Sequence, residues 1–419
     1  MEERKRIFYG WIITASAWLI YFLTAGPPAY GTAVITTRMV TQYGWSESVV
    51  STVPSLRSFS YAMTALFGGF LIKRFGVKKC IVAGDCISIS CMLCIYLFDL
   101  SETAYALMFL GIGVGYGMII VGGPAIVTGW FSRNKSLPMS ILLTAGSVGG
   151  MVMPIISEFL CQRSVRLCWA VYIGFFLLSV LIALFVVKNK PEDIGEIPDG
   201  REWTAAHPLP EDPASASGAA QHAEPVYASM KEVFRSRYFY LLGLIMLTAH
   251  MTFTCFNSYI ILYSVQGGID SVMAAAILSA YSVSNFVSRM MCGAFDRLHL
   301  PKYRFVVLTL VGKVVSFLIL AFLHSAGWYM AASLLFGFAA GLSTPLVPML
   351  VSTIFGPAMF SRLYGIYNAV ASLGSTVTPL IVVAIRKVSG GFEAAYFSFA
   401  VFMGAVMVLA IVFRPAKTE

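Results

Sequence analysis

Tyr281-Ser282-Val283-Ser284-Asn285-Phe286-Val287-Ser288-Arg289-Met290-Met291-Cys292-Gly293 sets an arginine inside what otherwise reads as a membrane-spanning helix. A guanidinium at mid-bilayer costs about 2.5–3.5 kcal/mol on insertion scales, and more without a partner, so such a residue is expected to face a cavity and bind something. Steps of three, four and seven residues return to one helix face, which aligns Ser282, Asn285, Arg289 and Asp296. Val283, Phe286, Val287 and Met290 fall on the other side, which suits lipid or a neighbouring helix.

The rest of the chain supports a membrane setting. Of 419 residues, 58% are hydrophobic and 12% charged, and the mean hydropathy is +0.79. Soluble domains carry about 25% charged residues, so the composition is that of a polytopic membrane protein. The net charge of +9 lies in short loops between apolar runs rather than in a basic patch, which argues against a nucleic-acid partner. The eight cysteines show no metal spacing and read as small buried hydrophobes; a disulfide between Cys161 and Cys168, near an outer loop, has little support. No short apolar core followed by a small-residue cleavage site precedes the first run, so no cleavable signal peptide is expected.

With about 20 residues needed per crossing, the pattern predicts twelve spans, over 9–35, 46–72, 79–99, 103–129, 137–161, 167–188, 238–264, 271–295, 304–324, 327–354, 362–385 and 393–413. Lys190 to Met230 is rich in Pro, Ala, Glu and Asp and has no apolar period, so it reads as a solvated connection. The chain therefore divides into an N-terminal six-helix bundle (1–189), a cytoplasmic linker (190–236) and a C-terminal six-helix bundle (237–419). If the N-terminus is cytoplasmic, 21 of the 29 Lys and Arg fall on inner segments, 5 on outer loops, and Arg57, Arg289 and Lys313 within spans. That bias puts both termini in the cytoplasm.

The halves also repeat. Gly117, Pro124, Val127 and Phe131 recur as Gly341, Pro348, Val351 and Phe355 at an offset of 224, and Pro154 recurs as Pro379 at 225. Parallel six-span repeats predict a transporter with its site at the repeat interface near mid-membrane.

Gly69-Phe70-Leu71-Ile72-Lys73-Arg74-Phe75-Gly76-Val77-Lys78-Lys79, between spans two and three, resembles the Gly-x-x-x-Asp-Arg-x-Gly-x-Arg/Lys-Arg/Lys loop of the major facilitator superfamily, with Lys73 at the acidic position. A degenerate copy, Gly293-Ala294-Phe295-Asp296-Arg297, follows span eight. Within that superfamily the chain is similar to the monocarboxylate transporter and oxalate–formate antiporter branch, in particular its bacterial members. The similarity rests on Tyr9-Gly10-Trp11, Tyr43-Gly44-Trp45-Ser46, Trp130-Phe131-Ser132-Arg133, Thr144-Ala145-Gly146-Ser147 and Lys190-Pro191-Glu192-Asp193-Ile194-Gly195. Asn285 and Arg289 fall where the branch carries Asp or Asn four residues before its substrate-binding arginine. The resemblance implies an all-α fold of two pseudo-symmetric six-helix bundles, with spans three, six, nine and twelve at the periphery.

It also bears on the substrate. The antiporter's lysine of span eleven corresponds to Ala371, and the first-span lysine of animal monocarboxylate transporters to Ala29. Tyr30 matches an aromatic of the antiporter cavity, whereas Ala340, Thr344 and Asn368 replace three others. One fixed cation, Arg289, then suits one carboxylate, because a guanidinium makes two parallel charge-assisted bonds to it. The expected protein is a secondary transporter of small monocarboxylates such as lactate or pyruvate, moving them by alternating access with protons as the expected co-substrate. An organic anion exchanger of the oxalate–formate kind, or an exporter of a larger organic acid, is the alternative. The expected setting is a bacterial inner membrane, with the protein working as a monomer.

Substrate-binding candidates are thus Arg289, Asn285, Tyr30, Asn368 and Thr344, with Tyr364, Asn368, Ala371, Ser375 and Thr378 forming one face of span eleven. His250 is a proton-coupling candidate through its intrinsic pKa, and Asp85 is the other, read as the only acid deep in a span. Arg57 is a second cation expected to snorkel toward the outer surface, and Lys313 on peripheral span nine is expected to snorkel too. Lys73 and Arg74 at the inner loop, and an Asp296–Arg362 latch, are gating candidates. Nothing resembles a nucleophile–base pair, an HExxH or a phosphate loop, so no catalytic residue, metal or cofactor is expected.

Overall fold

The computed structural model describes residues 8–131, 136–199, 230–297, 302–355 and 357–413, with no side chain described at 128, 136, 140, 292–297, 302, 345, 348, 349, 352, 353, 357–362 and 364. The first crossing is continuous but not uniform. It runs as α1 (Tyr9–Gly26), a π-helical turn (Pro27–Gly31) and α2 (Thr32–Tyr43). Pro27 and Pro28 have no N–H to complete an α-helical ladder, and the chain widens by one turn where they occur.

The remaining helices of the first half are α3 (Ser48–Phe75), α4 (Val77–Leu97), α5 (Glu102–Trp130), α6 (Ser136–Arg163) and α7 (Val165–Phe185). After a 3-10 turn at Pro191–Ile194 and a short helix α8 (Met230–Arg235) come α9 (Arg237–Gln266), α10 (Ser271–Arg297), α11 (Lys302–Phe322), α12 (Ala326–Phe355), α13 (Pro357–Ser389) and α14 (Glu393–Val412). Eleven of these crossings contain an apolar stretch long enough for a bilayer. The twelfth long helix, α3, is 28 residues long and falls short only in hydropathy, since it carries many serines with Arg57, Lys73 and Arg74.

The repeat in sequence is a repeat in packing. Gly117 lets α5 close onto α3, where an added Cβ would collide with Thr64; Gly341 lets α12 close onto α10, where one would overlap Ser288 and the Asn285 carbonyl. Across the halves, α6 packs on α10 and α3 on α13. Gly150 of α6 sits against Ser282 and Tyr30 with no room for a side chain.

We call the face where α1 begins the near face and its opposite the far face. The far end is sealed by a core in which Ala33, Val34 and Val50 of the first half join Phe256, Tyr259, Ile260 and Tyr281 of the second. Polar contacts reinforce it. Buried Glu158 accepts from Arg38 at 2.5 Å and from Ser271, across the seam, at 2.7 Å. Glu47 accepts from Gln266 at 2.7 Å and pairs with Arg386. Toward the near face, one apolar cluster runs from Ile13 to Val187 and another from Val233 to Ala410, each within its own half.

The packing corrects the placement of Arg38 and adds a buried acid that the sequence reading passed over. Arg38 is a buried member of α2, not a residue of an outer loop, and Glu158, near the far end of α6, is a second buried acid at 3% exposed. Their separation by 120 positions concealed the pair. Cys161 and Cys168 are both free and buried, so no disulfide joins them. The start of the connection also has structure: the Asp199 amide donates to the Trp130 carbonyl at 3.1 Å, and Trp130 Nε1 to the Lys188 carbonyl at 3.2 Å.

Candidate functional site

Between the halves, below the far seal, lies a cavity of about 400 Å³. The first half contributes Tyr21, Ala25, Ala29, Tyr30, Tyr116 and a stretch of α6 at Leu143, Gly146 and Ser147. The second contributes His250 and Phe253 from α9, Tyr281, Asn285 and Arg289 from α10, Lys313 from α11, and Ala340, Ser343, Thr344 and Val347 from α12. No Asp or Glu lines it among the described residues.

Arg289 enters the cavity as the stripe on its helix predicts. Val283, Val287 and Met290 are outward and exposed, while Ser282 and Asn285 are buried. Arg289 Nε is shut off from solvent and has no hydrogen-bond partner among the described residues. Asn285 does not hold the guanidinium: its Nδ2 donates to the Gly337 carbonyl at a long 3.4 Å. Thr344 Oγ1 donates to the Ala340 carbonyl at 2.8 Å, which leaves its oxygen lone pairs toward the cavity.

Tyr30 stands on the π-helical turn, edge-on to Phe253 across the halves with ring centroids 6.3 Å apart. Ala29, beside it, lines the wall, and its carbonyl accepts from Asn257 Nδ2 at 2.7 Å.

Lys313 does not snorkel. It is 2% exposed, lines the cavity and donates from Nζ to Ser343 Oγ at 2.8 Å. Arg289 is therefore not the cavity's lone cation. Lys313 sits near the middle of Lys302–Phe322, so roughly 13–17 Å of helix separates it from the two ends. A lysine stem reaches about half that, and this arithmetic was available from the sequence.

Arg57 also departs from expectation. It turns into the seam and donates to Thr32 Oγ1 at 3.3 Å, rather than reaching for the far surface. The reason is its neighbourhood: Thr32, Thr36 and Asn257 make a small polar space beside it. Asp85 is sealed between α4 and α7, where it accepts from Ser179 Oγ at 2.6 Å, and only His250 of the two proton candidates reaches the cavity.

No described residue of α13 lines the cavity. Asn368 is half-buried, with a polar contact of its own. Ala371 is fully buried, and Thr378 Oγ1 bonds back to the Gly374 carbonyl at 2.8 Å. Beyond Asn368, the described part of that face is buried on a helix that packs against α9 and α3, as small polar residues in membrane helices commonly are. Lys73 and Arg74 are exposed at the near end of α3, with Arg74 over the Phe75 ring. Asp296, Arg362 and Tyr364 lie outside the described side chains.

A family model described as the Major Facilitator Superfamily matches residues 10–379 and again 268–419. Among curated proteins, the MFS transporter asaE of Aspergillus flavus is 25% identical over 351 residues, covering 83% of this chain and 73% of the relative. The aspyridones efflux protein apdF of Emericella nidulans is 22% identical, with 94% and 75% covered. Monocarboxylate transporter 12 of Rattus norvegicus is also 22% identical, with 93% and 82% covered. The crystal structure of the nucleoside transporter NupG superposes with a TM-score of 0.75 at 11% identity, covering 96% of this chain and all of that one. The sequence relatives named above are fungal and animal, so the expectation of a bacterial membrane draws no support from them.

Proposed function

We propose that this chain, which belongs to the Major Facilitator Superfamily and is a multi-pass membrane transporter, carries an organic acid that docks a carboxylate on Arg289. The observation that carries this reading is a cavity-facing guanidinium whose Nε has no partner, in a wall without acids among the described residues. A carboxylate in the cavity would meet the guanidinium with charge-assisted, bidentate hydrogen bonds. Its charge would also lower the electrostatic penalty of carrying the site between the two faces.

Residues 1–189 and 237–419 then act as two bodies joined by 190–236, rocking about the cavity. With the far seam closed, the cavity communicates toward the near face, which the Lys and Arg bias assigns to the cytoplasm. His250 is the cavity group through which a proton couples to substrate.

Two substrate sizes fit the branch. Small acids such as lactate follow from the resemblance. A larger organic acid is favoured by the cavity itself, because about 400 Å³ walled by five aromatic rings is in the range that buries a drug-sized ligand. The efflux relatives point the same way.

Uptake into proteoliposomes tests the anchor. Arg289→Ala should abolish carboxylate transport, and Arg289→Lys should retain a fraction of it, since an ammonium keeps the charge but not the fork. Full transport of lactate, pyruvate and larger acids by both variants would remove Arg289 from the mechanism. Competition of labelled substrate by acids of increasing apolar size separates the two size classes.

A further inference from the structure

We infer that the cavity holds a second anion subsite at Lys313, built with Ser343 beside His250, and that its preferred ligands carry two anionic groups rather than one. The inference rests on the reading of Arg289 as carboxylate anchor.

Lys313 is almost wholly buried at mid-helix, and no carboxylate approaches it among the described residues. An ammonium has three donors and no acceptor. One is spent on Ser343 Oγ, whose own proton goes to the Ala340 carbonyl at 3.0 Å. Two donors are left in a cavity wall. A buried ammonium whose only partner among the described residues is a neutral hydroxyl is a costly arrangement within a membrane, and an anionic ligand relieves it.

The packing puts this pole on a different side of the cavity from Arg289. Helix α12 lies between α10 and α11: Gly341 faces Asn285 and Ser288 of α10, while Ser343 faces Lys313 of α11. The poles are therefore offset by on the order of one helix diameter, ~10 Å. One carboxylate cannot occupy both. An anion with a carboxylate at each end, or a carboxylate and a second ionised oxygen, spans them, with its carbon body against the aromatic wall.

The test is ligand-dependent thermal shift of the full-length protein in detergent. It uses α,ω-dicarboxylates from malonate to suberate and monocarboxylates of matched length, at fixed pH and ionic strength. Wild type should bind the best-fitting dicarboxylate at least ten-fold more tightly than its monocarboxylate counterpart. Lys313→Met and Lys313→Gln should each collapse that ratio to near one while moving monocarboxylate affinity less than three-fold. Two variants guard against one failing to fold.

If the ratio survives in a folded Lys313 variant while Arg289→Ala still loses both ligand classes, the subsite is wrong and the anchor stands. If Lys313 variants lose the ratio but Arg289→Ala changes nothing, the anchor is wrong and the subsite stands. Equal binding of both classes by wild type overturns the subsite, and absence of any binding to wild type overturns both.

Discussion

The two walls of the cavity differ in kind. Among the described residues, the first half presents Tyr21, Tyr30, Tyr116, Leu143 and small residues, with no charge; the second presents Arg289, Lys313, His250, Asn285, Ser343 and Thr344 beside Phe253 and Tyr281. An internal repeat that is near-symmetric in packing has thus diverged in chemistry. On the proposed reading, charge recognition would fall to the second half, while contact with the carbon body is shared by both. A substrate held by both halves at once couples its binding to their relative position, which is what alternating access requires.

The sharpest way to break this contrast is to discharge the second wall. Arg289→Ala should weaken carboxylate binding by about 3 kcal/mol, on the order of 100-fold, because it removes a charged, doubly hydrogen-bonded partner. Isothermal titration against a single acid measures it, and a loss under five-fold would mean that charge recognition does not depend on this wall.

Next comes the seam that holds the walls together at the far end. Glu158→Gln removes the charge that Arg38 and Ser271 share. It should reduce stability by about 2 kcal/mol and raise amide exchange at α2 and the start of α10. Unchanged exchange there would exclude the pair as a latch.

A smaller effect is expected on the first wall. Tyr30→Ala should cost a large aromatic acid about 1 kcal/mol of affinity and leave acetate within two-fold. Equal losses for both would mean that Tyr30 touches the carboxylate rather than the body. Least of all, Asn368→Ala should leave affinity within two-fold, since Asn368 is not part of either described wall. A ten-fold loss would bring α13 back into the site.

The polar stripe of α10 was legible because one helix determines it. Ser282, Asn285 and Arg289 share a face by spacing, and the buried and exposed sides fall as that spacing requires. The same reasoning failed on α13, where a polar face of equal regularity is satisfied by packing and by its own backbone. Periodicity says that a face is polar; it does not say whether the face meets a cavity or a neighbour. Glu158 and Lys313 were missed for a related reason. Lys313 was read from its own span and Glu158 was passed over, and each is explained by a residue elsewhere in the chain, Arg38 for Glu158 and Ser343 for Lys313.

The sequence by itself determined the membrane setting, the helical architecture, the six-plus-six repeat and the stripe that carries Arg289. All of these depend on composition and on periods within single helices, or on one offset between them. Tertiary structure alone decided which charges meet: it buried Lys313 in the cavity, turned Arg57 into the seam, closed Glu158 on Arg38, and left Asp85 and the span-eleven face outside. The physical reason is that a membrane helix with one polar residue is stable on several faces. Only the helices packed around it decide whether that residue finds lipid headgroups, a partner side chain or a cavity.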